Sequence, residues 1–485
     1  MPLDDVHLNT VPRTEAERGR IAGVLAPPTE FSASERFEAL PAGAATVRAR
    51  TDDSAFSQPS NLLDHDAEFD FLIGGSLFDK IWVSSPASTR ASDGLGPLFN
   101  ARACQSCHFK NGAGRAPAGP EDDRSSLLLR VAVPGDATGE VAQIEAYLAA
   151  APDPVYGGQI QDRAVLGQEV EAQVEISYEE IPVTLADGTV VSLRKPTYGV
   201  RKAAFGPLHP NAVLSPRVAP QMIGLGLLEA IPAEDILARS DPNDADGDGI
   251  SGRPQIVWSS VHGRPMLGRF GLKAGQPTLL DQAASAFSAD IGISTPFLTD
   301  PAGDCTAAQT ACRAGPHGDG DVRVFEIDAE ALGLVAFFSA NLGVPARRDI
   351  DDPTVLRGKQ AFHASGCTSC HTPKHVTARL EDRPEHSFQL IWPYTDLLLH
   401  DMGPGLADDL PEGQASGREW RTPPLWGLGL TAQVSGHTQF LHDGRARSLL
   451  EAILWHGGEA QAARDRVVEM PKAERDALIR FLESL

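Results

Sequence analysis

The chain has 485 residues, 42% of them hydrophobic, and carries Lys+Arg 42 against Asp+Glu 65, a formal net charge of −23. That length allows about three domains of ordinary size, and the acidic balance disfavours nucleic acid, which is held by basic patches. No apolar run of about 18 residues suggests a membrane-spanning helix, and the surplus of acids suits a soluble protein steered toward basic partners.

Residues 1–55 are polar, Ala/Pro-rich and weakly periodic, and read as an N-terminal extension. The opening MPLDDVHLNTVPRTEAERGR lacks the apolar stretch of a secretory leader. The run FDFLIGGSLF, Phe69 to Phe78, predicts a helix. From about 125 to 205 the pattern changes: LLLRVAV, EVEAQVEISYEEIPVTL and TVVSLRKPTYGV alternate as strands do, and Ala186-Asp187-Gly188-Thr189 supplies a hairpin turn. Asp244, Asp246 and Asp248 stand at alternate positions of an acidic loop with Gly249 sixth, as in a calcium loop, but Gln255 occupies the twelfth place. Calcium and a solvated acidic turn are both open there.

Thr278-Leu279-Leu280-Asp281-Gln282-Ala283 reads as a capped helix start, and so does Ser448-Leu449-Leu450-Glu451-Ala452-Ile453. The run Val355 to Phe362 predicts another helix, and it shares a spacing with the first one: Gly74/Phe78 and Gly358/Phe362. The chain therefore reads as two units on one plan, 56–345 with the β-rich insertion and 346–485. The expected fold is mainly α: two haem domains resembling cytochrome c, each marked by one Cys-x-x-Cys-His motif (Cys104–His108 and Cys367–His371), the β-rich insertion, and extensive loops.

Six cysteines carry the chemistry. Cys104-Gln105-Ser106-Cys107-His108 and Cys367-Thr368-Ser369-Cys370-His371 are two copies of the c-type haem attachment signature. Two cysteines about one turn apart reach the two vinyl groups of a haem edge, and the following His supplies the proximal nitrogen. A redox dithiol or a zinc site is the alternative, but neither needs the His twice, and paired zinc motifs lie closer together. Cys305 and Cys312, in a Gly/Pro-flanked loop, read as a local disulfide, with a free-thiol pair as the alternative. Thioether-bound haem implies export, so a periplasmic location with a leader removed is expected.

The stretches FNARACQSCHFKNGAGRAP, DGDGISGRP, GRFGLKA, DLLLHDMGPGLAD and FLHDGRARSLLEAILWHGGEA resemble the di-haem cytochrome c peroxidase superfamily, nearest its di-haem oxidoreductase branch, sometimes labelled thiol oxidoreductase. All six cysteines are otherwise accounted for, so the thiol label has no support in the residues. The resemblance implies electron entry at the C-terminal haem and peroxide chemistry at the N-terminal one. It implies His371 and His456 as the iron ligands of the second haem, with Met402 as the rival for His456 and a capping role as the other reading. It implies His108 at the first haem, with Gln282 and Asp290 above its open face; a helix-end cap is the alternative for Asp290. Leu272 or Phe270 stands where the family has an inter-haem Trp, and Trp258 is a candidate replacement. The implied partners are hydrogen peroxide and a small redox protein, a cytochrome or cupredoxin, as electron donor. Two further readings stay open: an enzyme of the same design that oxidises a partner protein or an organic substrate, and a pure electron-transfer cytochrome.

Overall fold

The computed structural model describes the chain except residues 1–2, 120–121, 123–125, 136–149 and 319–323, so part of the expected β-rich region lies outside the described residues. The expectation of a mainly α chain is wrong. Among the described residues helix accounts for 29% and strand for 18%. The physical reason is the chain's 46 Gly and 37 Pro, which stop helices early; the longest helix among the described residues has 14. The strands do not merge into a large sheet either. Every sheet among the described residues has two strands.

Nor do the contacts divide the chain into two bodies resembling cytochrome c. The largest core cluster joins Ile223, Phe287 and Phe338 of the first half to Ile391, Leu397 and Trp426 of the second. The antiparallel ribbon Gln173–Thr184 with Val190–Arg201 also crosses over. Its β-branched and aromatic residues suit a pleated, half-buried surface, and Gly188 (φ +83°) turns it. Leu185 and Leu193 at its tip pack with Leu406, Leu454 and Trp455, and Arg194 donates to the Gly444 carbonyl at 2.9 Å. The insertion read into the first half is thus a strap across the second.

Six helices frame the two cysteine motifs: α1 (His65–Phe78), α2 (Leu279–Ala286), α3 (Ala329–Ala340), α4 (Pro353–Ala364), α5 (Leu449–Trp455) and α6 (Lys472–Ser484). Aspartates cap three of them: Asp64 accepts from Ala67 N, Asp328 from Ala331 N, and Asp352 from Thr354 N and Val355 N. The Gly/Phe spacing has a packing cause. A Cβ on Gly74 would lie 2.1 Å from the Leu334 carbonyl oxygen, and one on Gly358 would lie 1.9 Å from that of Ala477. Only a glycine lets α1 cross α3, and α4 cross α6, so closely. One turn later the same ring pair recurs: Phe78 with Phe338 and Phe362 with Phe481, each 5.3 Å apart at 47°.

The second half of the repeat is equally regular. Phe270 bridges Gln276, and Phe440 bridges Ala446. Each short loop between carries two left-handed residues, Gly271 and Ala274 in one, Leu441 and Gly444 in the other. Each then enters a helix through a hydroxyl cap: Thr278 Oγ1 accepts from Asp281 N, and Ser448 Oγ from Glu451 N, both at 3.1 Å.

Candidate functional site

Each motif is a single 3-10 turn, Cys104–Ser106 and Cys367–Ser369. His108 N donates to Cys104 O at 3.0 Å, and His371 N to Cys367 O at 2.9 Å, so each turn folds its His back beneath the cysteine pair. His108 Nδ1 lies 2.9 Å from the Pro220 carbonyl oxygen, and His371 Nδ1 lies 3.0 Å from that of Tyr394. A carbonyl only accepts, so Nδ1 carries the proton in both rings and Nε2 keeps its lone pair. Neither Nε2 has a hydrogen bond among the described residues. Burial pushes both histidines down to about 4, which keeps the neutral, ligating form. Phe78 and Phe362 flank the two rings, at 6.1 and 6.3 Å. The four motif thiols are unpaired. Burial pushes Cys104, Cys107 and Cys367 up to about 12. Cys305 and Cys312 are bonded to each other.

At the second motif His456 lies near enough to His371 for a charge on either to be felt by the other. His456 ends α5, and its Nδ1 lies 2.8 Å from the Ala452 carbonyl oxygen, again leaving Nε2 free. Burial pushes its pKa down. Met402 packs instead in the apolar cluster of Leu406 and Trp455. The sequence reading missed His400. Its Nε2 meets Asp396 Oδ2 at 2.9 Å and its Nδ1 meets Glu459 Oε2 at 2.7 Å, with Cys370 Sγ at 3.5 Å. Burial would lower its pKa, but the hydrogen bonds to Asp396, Cys370 and Glu459 raise it well above the ordinary value. Glu459 also accepts from Ser251 Oγ at 2.6 Å, which ties the acidic loop to the second motif. In that loop Asp241, Asp244 and Asp246 bring carboxylate oxygens within 4.8 Å of one another, and these three and Asp248 each also accept from a backbone N–H.

At the first motif, Asp290 lies in a π-helical turn, Phe287–Ile291, that continues α2. Its charge bears on both Cys104 and Cys107, so it lies near the motif. Burial raises its pKa, against a hydrogen bond from Gln159 at 2.9 Å. Gln282 is half-buried on α2, its Oε1 beside Gly271, with no hydrogen bond to Asp290 among the described residues. Gln159, Asn100 and Asp162, which line the same region, were not legible in the sequence, because the β-rich segment carrying two of them meets the motif only in three dimensions. Behind them burial pushes Asp304 up to about 6, although it accepts from Gly158 N and Gln159 N. Burial also pushes Glu171 up to about 8, although it accepts from Gln161 N and Gln309.

Trp258 lies on a short hairpin, opposite Pro265. The tryptophan that meets GRFGLKA is Trp420. Arg421 N donates to Leu272 O at 3.0 Å, and Lys273 Nζ sits 4.6 Å from the Trp420 ring centre. His442, from the matching loop of the other half, stacks on that indole. Both repeat loops therefore converge on Trp420.

Residues 38–485 match the family described as "Di-haem oxidoreductase, putative peroxidase". The chain belongs to the di-haem oxidoreductase family. Haem is the cofactor that this family implies, and the donor sets fit it: two neutral imidazoles anchored at Nδ1 with free Nε2, each beside two unpaired thiols. No curated protein matches the chain. Among solved structures it is similar to hydrazine synthase of Kuenenia stuttgartiensis pressurized with xenon, with 14% identity and a TM-score of 0.24. That likeness covers 38% of this chain and 63% of that one, and is too slight to carry an argument. No helix of this di-haem oxidoreductase, among the described residues, is long and apolar enough to cross a membrane.

Proposed function

We propose that this di-haem oxidoreductase is a periplasmic c-type enzyme that reduces hydrogen peroxide at its first haem with electrons taken in at its second. The observation that carries the reading is the matched anchoring of His108 and His371 through Nδ1, with buried Asp290 bearing on both cysteines of the first motif. Cys104 and Cys107 would hold one haem and Cys367 and Cys370 the other, with His108 and His371 as proximal ligands and His456 closing the second site. A haem iron with an open face supplies Lewis-acid and redox chemistry to a bound peroxide. The chain's own residues do the rest. Asp290, whose pKa burial raises, could give a proton to a peroxide oxygen, and Gln282 could orient the substrate. Asp290 has an amide as its hydrogen-bond partner, whereas Asp396 at the second motif meets His400; a carboxyl held as Asp290 is favours an enzyme over a pure electron carrier, which needs no proton donor.

The net charge of −23 supports a basic small redox protein as electron donor. Trp420 lies where the two repeat loops meet and supports a route between the halves there. The calcium site is proposed for Asp241, Asp244 and Asp246, with chelator-sensitive unfolding as its test. The test of the whole reading is the mass of the denatured chain and the visible spectrum before and after carbon monoxide. Two haems retained through denaturation, one of them binding carbon monoxide when reduced, support it. Two haems that both ignore carbon monoxide turn it toward electron transfer, and no retained haem overturns it.

A further inference from the structure

The polar wall beside Asp290 holds a second carboxyl, and Asn100 is its hub. The strand Leu98–Phe99 pairs antiparallel with Arg163–Ala164, Phe99 opposite Arg163, which brings Asn100 against Asp162. Asn100 Nδ2 donates to Asp162 Oδ1 at 3.0 Å and to the Ile160 carbonyl at 2.9 Å. Asn100 Oδ1 accepts from Gln159 Nε2 at 2.7 Å, and that same amide donates to Asp290 Oδ1 at 2.9 Å. Asn100 N and Ala101 N donate to the Asp290 carbonyl at 2.9 and 3.0 Å, so the turn bearing Asp290 is pinned to the segment that runs into Cys104. Two amides thus span two carboxyls, and each carboxyl keeps its Oδ2 unbonded to any other described residue.

Both carboxyls lie near enough to Cys107 to bear on it electrostatically, and the strand pairing and the pinned Asp290 turn hold them on the segment that runs into Cys104. Burial raises the pKa of each, and the cations that oppose it are Arg130 beside Asp290 and Arg163 beside Asp162. The first motif's wall therefore carries two protonatable acids held at a spacing set by a sheet register.

We infer that Asp162 is the second proton donor of the first site, paired with Asp290 across the Gln159–Asn100 amide bridge. This rests on the peroxide reading above. Reducing one hydrogen peroxide breaks its O–O bond, takes two electrons that the reduced protein has drawn from its redox-protein donor, adds two protons, and releases two waters. Each carboxyl gives up one O–H proton to one peroxide oxygen. Solvent returns the protons through half-buried Asp162.

The test is stopped-flow oxidation of the fully reduced protein by hydrogen peroxide across pH, in the wild type, Asp162→Asn and Asp162→Glu. It is run beside an infrared titration of the carboxyl bands of the oxidised proteins. Asp162→Asn lowers the rate by about 100-fold, the ordinary worth of a positioned acid, and loses one limb of the pH profile. It also removes one carboxylic acid band, a second being removed by Asp290→Asn. Asp162→Glu restores both the limb and the band, and it carries the test if the amide variant fails to load haem. A rate within about twofold of wild type at every pH, far below what a proton donor contributes, overturns the inference, and so does an infrared titration in which Asp162→Asn removes no band. A wild-type protein that peroxide cannot oxidise overturns the peroxide reading instead, and the infrared titration then decides alone whether Asp162 holds the second proton.

Discussion

The indole of Trp420 and the imidazole of His442 lie face to face, their centroids 3.8 Å apart and their planes 13° from parallel. Burial pushes His442 down to about 3, so it stacks as a neutral ring. Lys273 and Arg217 also lie over the indole, at 4.6 and 5.3 Å. Cations there stabilise the intact ring and oppose removal of an electron from it. Trp420 is therefore a packed bridge rather than a place where charge rests. After peroxide treatment, electron paramagnetic resonance should show no tryptophan radical that Trp420→Phe abolishes. Trp420→Phe should exchange electrons between the haems close to the wild-type rate, whereas Trp420→Ala should slow that exchange and cost about 3–5 kcal/mol of stability.

The second haem's ligand should answer to His456 alone. His456→Met should raise the reduction potential of that haem, since a His/Met pair favours the reduced iron more than two histidines. Met402→Leu, in the apolar cluster, should leave it unchanged. A spectroscopic redox titration of both variants checks this, and the opposite pattern would name Met402 as the ligand.

The two glycine crossings are predicted to be intolerant. Gly74→Ala and Gly358→Ala each drive a methyl against a backbone carbonyl rather than a movable side chain. Overpacking of this kind costs about 1–3 kcal/mol and sometimes more. Thermal unfolding should show each loss. Gly333→Ala on α3, where the added Cβ meets nothing within 4 Å, should be neutral or stabilising.

Glu171 gives stability a pH dependence of known sign. Its folded pKa of about 8 stands above the ordinary 4.5, chiefly through burial. An acid raised on folding contributes its stability fully below the unfolded pKa and loses it as pH rises through the folded one. Between about pH 5 and pH 8 the wild type should therefore lose stability relative to Glu171→Gln, and above that window the gap should stay constant. Thermal melts of both proteins across pH measure it. A wild type that holds or gains stability relative to Glu171→Gln across that window would show that folding does not raise the Glu171 pKa.

The attachment motifs, the repeated Gly/Phe spacing and the hydroxyl caps of α2 and α5 are local patterns: their meaning depends on residues within a turn or two of one another, so the sequence by itself determined them. The fold class was not of that kind. Apolar runs suggested helices, but how soon each helix stops, and where the ribbon Gln173–Arg201 lands, depends on contacts with residues far along the chain. The same holds for the site. Asp290 bears electrostatically on Cys104 and Cys107, and His456 on His371, but their surroundings were invisible from the chain alone. Gln159 and Asp162 reach Asp290 through a strand pairing, His400 reaches Cys370 from thirty residues away, and Trp420 meets His442 only because two loops from opposite halves converge. A hydrogen bond or ring stack between distant segments leaves no periodicity in sequence; only the packing of the tertiary structure decides which polar groups share a wall.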